Sequence, residues 1–369
     1  MIGVYGATGM LGRLVTARLD RAGAPTTLIG RSQTALDRLA RADTSHRTAV
    51  AALDDPAALE RAIDGCQVLV NCAPAGPGGE RLVRAALDAG IHYVDAAGEQ
   101  HHIRTLFEKY DEEATQCDAA VVPALGFDYA IGDCLAHLAA QSHQPARDVV
   151  IAYAIDGSDA IGDNAHATMA AAKEVVYREG HWRTVPFELD RAWFTFPDPV
   201  GPRQMSRYGS GEVITVPHHV KTEAVSTLIT STSLCPYPAL LPIFPFVRPI
   251  VGLVRRTPGR AVLAAVAGVL GRSTPHDEDA TAENAAPPSH DDRRFMIAAE
   301  VHSLAGSIGR AVAVGGHFLD VTAALLAQGA RWLSEGSVVA GVHSAATAFE
   351  PHAVLDALAA DGVTWSQSD

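Results

Sequence analysis

A basic surplus, regularly spaced cysteines and any long apolar run are all missing from this sequence. Its 29 Lys and Arg stand against 42 Asp and Glu, a formal charge of −13 over 369 residues. Without surplus cations there is little to release counterions from phosphates, so no nucleic-acid partner is expected. Anionic membrane surfaces should repel the chain as well. The five cysteines (Cys66, Cys72, Cys117, Cys134 and Cys235) are odd in number, scattered and without close ligand spacing. They are expected as reduced, mostly buried thiols of a cytoplasmic protein, with no metal site. No nucleophile elbow of the Ser/His/Asp type occurs. The apolar run at 262–270 is only about nine residues, far too short to span a bilayer. No signal peptide is expected ahead of the first strand.

What is present is organised around the first thirty residues. Ile2 to Tyr5 form a short apolar run that leads into Gly6-Ala7-Thr8-Gly9-Met10-Leu11-Gly12. Leu11, Leu14, Val15 and Leu19 then recur at helical spacing, which puts the glycines where a strand turns into a helix. That context is the one a dinucleotide fingerprint needs. Gly6 would allow the tight turn, Gly9 the close approach of a pyrophosphate, and Gly12 close packing of helix on sheet. Thr8, Met10 and Leu11 complete the loop, and the helix N-terminus would hold the phosphates. The next strand, 26–29, ends at Gly30-Arg31-Ser32. An acidic residue here would accept from a ribose 2′-hydroxyl. Arg31 instead offers a planar fork suited to a 2′-phosphate, with the Ser32 hydroxyl beside it, so NADP is favoured over NAD.

The pattern then alternates. Helices are expected at 34–42, 56–63, 80–89 and 108–117, and strands at 48–53, 67–72, 91–95 and 119–123. Such alternation predicts an α/β fold whose N-terminal part is a Rossmann-type, doubly wound parallel sheet. Leu53 and Asp54 would flank an adenine. Cys72, Ala73 and Pro74 would let a nicotinamide ribose approach the fourth strand, before a loop rich in Gly and Pro. Ligands bind beyond the carboxyl ends of such strands, which directs attention to 6–12, 31–32, 72–79, 95–102 and 126–133.

From about residue 144 the grammar changes to an α+β pattern. Strands are expected at 149–155, 183–187, 212–217, 224–231 and 294–303, and helices at 165–177, 322–333 and 352–359. The expected organisation is an NADP-binding domain over 1–140, a substrate and oligomerisation domain over 141–330, and a C-terminal segment, 331–369, returning to the first domain. The stretch 240–270 is apolar but broken by Pro242, Pro245 and Pro249. It reads as a buried hairpin or dimer contact, or as a wall for a lipophilic substrate or a membrane-surface contact. The acidic, Pro- and Ala-rich segment 275–292 is expected as a mobile loop.

Five pieces in order carry a family resemblance: the loop 6–12, Asp54-Asp55-Pro56-Ala57-Ala58-Leu59, Val70-Asn71-Cys72-Ala73-Pro74, Tyr93-Val94-Asp95 with Gly98-Glu99, and Gly126-Phe127-Asp128. Together they resemble the saccharopine dehydrogenase-like oxidoreductases, including the trans-acting enoyl reductases. The resemblance covers about the first 135 residues and returns at 322–333 and 341–348. It implies an NADP site to which Gly98 and Phe127 also belong. Two departures fall where substrate should lie. Asp128 is followed by Tyr129-Ala130-Ile131-Gly132-Asp133, where relatives often have Ser-Val-Pro-Ser-Asp. The stretch Asp163-Asn164-Ala165-His166-Ala167-Thr168 stands where they tend to carry a Gly-Gly-Thr turn.

Hydride transfer needs a cofactor, a water-excluding pocket and often a proton donor. Tyr129, on the expected loop after the sixth strand, is one donor candidate, with Asp128 placed to orient it. Glu99, His101 and His102 follow the fifth strand, and of the two adjacent histidines at most one should be useful. His166 could face the cleft. Cys72 lacks a basic partner and is expected as a packing residue, not a nucleophile. The sequence therefore predicts an NADP-dependent reductase, cytoplasmic and homodimeric, acting on a C=C, C=N or C=O bond of a small or medium organic substrate. The rival readings are a non-catalytic NADP(H) sensor and an isomerase or lyase that retains its cofactor.

Overall fold

A computed structural model describes residues 1–40, 46–74, 78–155, 173–186, 191–234, 294–336 and 338–368. His166, Cys235, the apolar stretch 240–270 and the segment 275–292 lie outside the described residues.

The N-terminal half alternates as the sequence predicts: β1 (Ile2–Tyr5), α1 (Met10–Arg21), β2 (Thr26–Gly30), α2 (Gln33–Ala40), β3 (Arg47–Val50), α3 (Pro56–Ile63), β4 (Val68–Asn71), α4 (Gly79–Asp88) and β5 (His92–Asp95). Two helices, α5 (Gln100–Lys109) and α6 (Asp111–Gln116), then precede β6 (Ala120–Val122) and α7 (Phe127–Ala140). The strands pair in parallel in the order β6-β5-β4-β1-β2-β3. That is the doubly wound order, and it reverses direction between β1 and β4. β1, β2 and β4 are buried along their length, because helices cover both faces of such a sheet. Val4, Val70 and Val94 fill one face and Tyr5, Leu69 and Tyr93 the other, following the two-residue period. In α1 the buried residues Gly12, Val15, Thr16 and Leu19 make one stripe, and Arg18 and Arg21 complement the dipole of its last turn. Asp55 caps α3 by accepting from the Ala58 N–H at 2.9 Å, with Pro56 in the first turn. That cap ends β3 at Val50, short of the expected 53.

The second half contains β7 (Ala146–Ile155), β8 (Lys173–Arg178), β9 (His181–Pro186), β10 (Arg191–Thr195), β11 (Pro202–Arg207), α8 (Glu212–Thr215), β12 (Val225–Thr230), α9 (Ser231–Leu234), β13 (Arg294–Ser303) and β14 (Ile308–Gly316). After α10 (Phe318–Ser334) come β15 (Gly341–Val342), α11 (Ala345–Ala348), α12 (Pro351–Ala357) and β16 (Thr364–Ser368). The order β10-β11-β12-β7-β13-β14-β16 forms a mixed sheet in which, among the described residues, β12 and β7 run parallel and the other neighbours antiparallel. The fold is thus a Rossmann-type parallel sheet with a second α+β sheet. α10 lies on α1 and on the parallel sheet, and the expected limit at 330 falls inside it. The C-terminal segment visits both sheets: β15 extends the parallel sheet beside β6, and β16 pairs with β14.

Two expectations are reversed. Residues 173–177, expected at the end of a helix, form β8, where Val175 and Val176 pair with β9. Residues 212–217, expected as a strand, form α8 and a following helical turn, with Glu212 fully buried.

Candidate functional site

The glycine loop meets its steric requirements. Gly6 holds φ +77°, a left-handed conformation that an L side chain rarely adopts. A Cβ on Gly12 would stand 2.2 Å from the Gly6 carbonyl oxygen and 2.7 Å from the Ala7 Cα, so α1 can pass this close only as glycine. Gly9 is the N-cap of α1 and supplies no side-chain cap, which leaves first-turn N–H groups for an anion. Arg13 Nε donates to the Thr8 carbonyl at 2.9 Å and braces the loop.

Beyond the loop lies a cleft of about 500 Å³ at the point where the strand order reverses. Gly6, Thr8 and Gly9 line one side, and Arg31, Leu53 and Asp54 another. Cys72, Ala73 and Pro74 close the end of β4. Tyr5, Gly30, Ala52 and Arg81 line it too, and sequence reasoning missed them. Arg31 makes no hydrogen bond or ion pair among the described residues. Its charge acts on the Tyr5 phenol, where it opposes a rise caused chiefly by burial. Burial pushes the Cys72 thiol up to about 12, so it stays a thiol.

The remaining expected cofactor residues sit elsewhere. Ser32 Oγ accepts from the Ala35 N–H at 3.4 Å at the start of α2. Met10 is 68% exposed, and Leu11 packs on the core. Phe127 lies between Phe295 and Phe318, and its N–H donates to Thr322 Oγ1 at 3.2 Å.

A buried network that no local pattern announces ties the carboxyl ends of β4 and β5 together. Asn71 Nδ2 donates to the Tyr93 hydroxyl at 3.1 Å, and that hydroxyl donates to Asp95 Oδ2 at 2.9 Å. His102 Nε2 lies 2.9 Å from the same oxygen. Asp95 Oδ1 accepts from the Ala97 and Ala124 N–H groups, so one carboxylate fixes the loops after β5 and β6. Burial alone would lower the His102 pKa, but Asp95, with Glu99 and Glu80, raises it above the ordinary value. Glu99 is the N-cap of α5 and residues 100–102 its first turn, which leaves His101 exposed and buries His102. Glu99 Oε2 is buried with no hydrogen-bond partner among the described residues.

Asp128 and Tyr129 also fall on a helix, the first turn of α7, and not on the expected loop. The apolar, Ala-rich run behind them propagates helix back to Gly126, the N-cap. Tyr129 is buried, does not line the cleft that holds Arg31, and has its hydroxyl 3.2 Å from that of Tyr208. Its ring lies so close to Gly98 that a Cβ there would come within 2.5 Å of the phenol carbon. Burial raises both phenol pKa values, so each remains a protonated donor at neutral pH. Burial also raises the Asp128 carboxyl to about 6, opposed by the Tyr129 hydroxyl.

Beneath this pair the Tyr153 hydroxyl reaches both the Asp128 carbonyl and Glu212 Oε1, while Ser210 Oγ donates to Glu212 Oε2. Full burial raises the Glu212 carboxyl pKa well above its ordinary value, which favours a protonated carboxyl beside these two hydroxyls. Gln100 aligns the two sheets here: its Nε2 donates to the Val175 and Ser210 carbonyls, both at 3.0 Å, and its Oε1 accepts from the Val175 N–H at 2.8 Å. Among the described residues no His, Cys, Asp and Glu group could hold a metal, the four described cysteines are free, and no helix is long and apolar enough to cross a membrane.

The saccharopine dehydrogenase NADP-binding domain family matches residues 2–125. A trans-acting enoyl reductase of Mycobacterium ulcerans is 34% identical over 141 residues, 36% of this chain and 34% of that protein. A saccharopine dehydrogenase-like oxidoreductase of Rattus norvegicus is 27% identical over 144 residues, 34% of each. The matched region spans about a third of the length of these curated relatives. Among solved structures, a saccharopine dehydrogenase (L-Glu forming) from Saccharomyces cerevisiae superposes with a TM-score of 0.66 at 12% identity, covering 100% of this chain and 99% of that one. Residues 2–125 thus match the saccharopine dehydrogenase NADP-binding domain, and the chain shares the fold of that solved saccharopine dehydrogenase.

Proposed function

We propose that the protein is an NADP-dependent reductase of a C=C, C=N or C=O bond in a small or medium organic substrate. The observation that carries the reading is Arg31, a cation with no hydrogen bond or ion pair among the described residues, in the same cleft as the 6–12 cradle. The bound cofactor supplies the reducing electrons as hydride. The chain's own residues then have three tasks. Gly6, Thr8, Gly9 and the first turn of α1 hold the pyrophosphate, while Arg31 with Leu53 and Asp54 holds the adenosine end. Asp95 and Asn71 hold the loops that carry Ala73, Pro74 and Glu99 in place. Tyr129, coupled to Tyr208 and beside Asp128, donates a proton or hydrogen bond to the reacting substrate. Glu99, with a buried oxygen unpaired among the described residues, would accept from a donor group of the substrate or nicotinamide.

The similarity to a trans-acting enoyl reductase supports the C=C choice. The acidic charge supports a small-molecule substrate, and the free cysteines support a cytoplasmic setting; a homodimer is part of the same proposal. One feature favours the sensor reading: the Tyr129 hydroxyl already has a buried partner in Tyr208. Incubating the purified protein with NADPH or NADH and a panel of enones, imines and ketones decides between them. Loss of NADPH matched by reduced product supports the reductase. Tight NADPH binding with no turnover on the panel supports the sensor, and product formation without net NADPH loss supports the isomerase or lyase.

A further inference from the structure

The cofactor cleft contains a second arginine that the sequence does not advertise. Arg81 stands in the first turn of α4, fifty positions from Arg31, yet both line the same cleft. Its contact with the protein is loose: Nη1 donates to the Leu53 carbonyl oxygen at 3.3 Å, and the side chain is exposed. That bond anchors the guanidinium beside Leu53 and Asp54, the adenosine end of the cleft, and away from the glycine loop. Most of its five donors are left to a ligand. Among the described residues, Asp54 is the one acidic residue lining this cleft, against two arginines, in a chain whose net charge is −13. A local cationic excess of that kind is matched by an anionic group on the adenosine.

We infer that Arg81 acts with Arg31 as a two-arginine clamp on the adenosine 2′-phosphate, and so is a second determinant of NADPH over NADH. The inference rests on the cofactor placement proposed above. Arg31 approaches from the end of β2 and Arg81 from α4, so the phosphate would be held from two sides, where one planar fork alone fixes only one. Because Arg81 is exposed and, among the described residues, tethered by one long bond, its replacement should not disturb the fold.

The test is equilibrium binding, with no turnover required. NADPH, NADH, adenosine 2′,5′-bisphosphate and adenosine 5′-monophosphate are titrated calorimetrically against the full chain, Arg81→Ala, Arg81→Lys and Arg31→Ala. Arg81→Ala should weaken NADPH and the bisphosphate by about tenfold or more, as expected for lost bonds to a charged group. NADH and the monophosphate should stay within about twofold, and Arg81→Lys should recover part of the loss as a point charge. Unchanged NADPH affinity in Arg81→Ala, or equal losses for all four ligands, overturns the clamp. If Arg31→Ala alone loses the phosphate preference, the clamp fails and the cofactor placement stands. If neither variant alters the preference, the placement itself fails.

Discussion

His102 Nε2 and Asp95 Oδ2 meet at 2.9 Å, both side chains buried, directly beneath the loops that follow β5 and β6. The pair joins a helix to the strand it follows, so its loss should be felt both in stability and in the cofactor-facing backbone.

Because the folded-state pKa of His102 is raised, the pair's contribution is fully present below the ordinary histidine value of about 6.5. It is lost as pH rises through the raised value. His102→Gln should lower stability by about 1.5–3 kcal/mol at pH 6, the range for a hydrogen bond to a charged group. The gap to the unmodified chain should narrow toward alkaline pH. Denaturant melts at several pH values check this, and a gap that widens with pH would refute it.

Glu212 should show the same direction of pH dependence through a neutral carboxyl. Its folded carboxyl stays protonated well above the ordinary value, whereas the unfolded chain ionises near pH 4.5. Unfolding is then favoured as pH rises above that value, by up to about 1.4 kcal/mol per pH unit until the folded group also ionises. Glu212→Gln keeps a donor and an acceptor in place and should remove this slope. Matching pH–stability profiles for the two proteins would contradict the neutral carboxyl.

The glycine loop was legible in the sequence because its requirement is local: Gly6 and Gly12 answer a turn and a helix contact made within seven residues. Arg31 was legible for the same reason, by its place at the end of β2. Arg81 was not, since only the fold brings α4 over Leu53. Asp95 and Gln100 lie in the stretch 95–102 that the sequence singles out, but their partners, like those of Glu212, come from distant strands or turns and were not legible. The errors of type have the same root. Val175 and Val176 become strand by pairing with β9, and Glu212 becomes helical in a turn held by Gln100 through Ser210.

Tyr129→Phe should reduce kcat by about 10²–10⁴-fold, the usual cost of a lost general acid. NADPH affinity should remain nearly unchanged, because Tyr129 does not line the Arg31 cleft. Tyr208→Phe should cause a smaller loss, since it removes only the partner of the donor. Stopped-flow single-turnover rates separate these effects, and a Phe variant with normal kcat would move the acid role to Glu99 or to water.

The most direct test of the account is the affinity of NADPH and NADH for the unmodified chain and for Arg31→Ala. The account predicts that the unmodified chain prefers NADPH, and that the variant loses about 1.5–3 kcal/mol of NADPH binding, as for a hydrogen bond to a charged group, while NADH binding barely changes. Equal losses for both cofactors, or no loss for either, would contradict it.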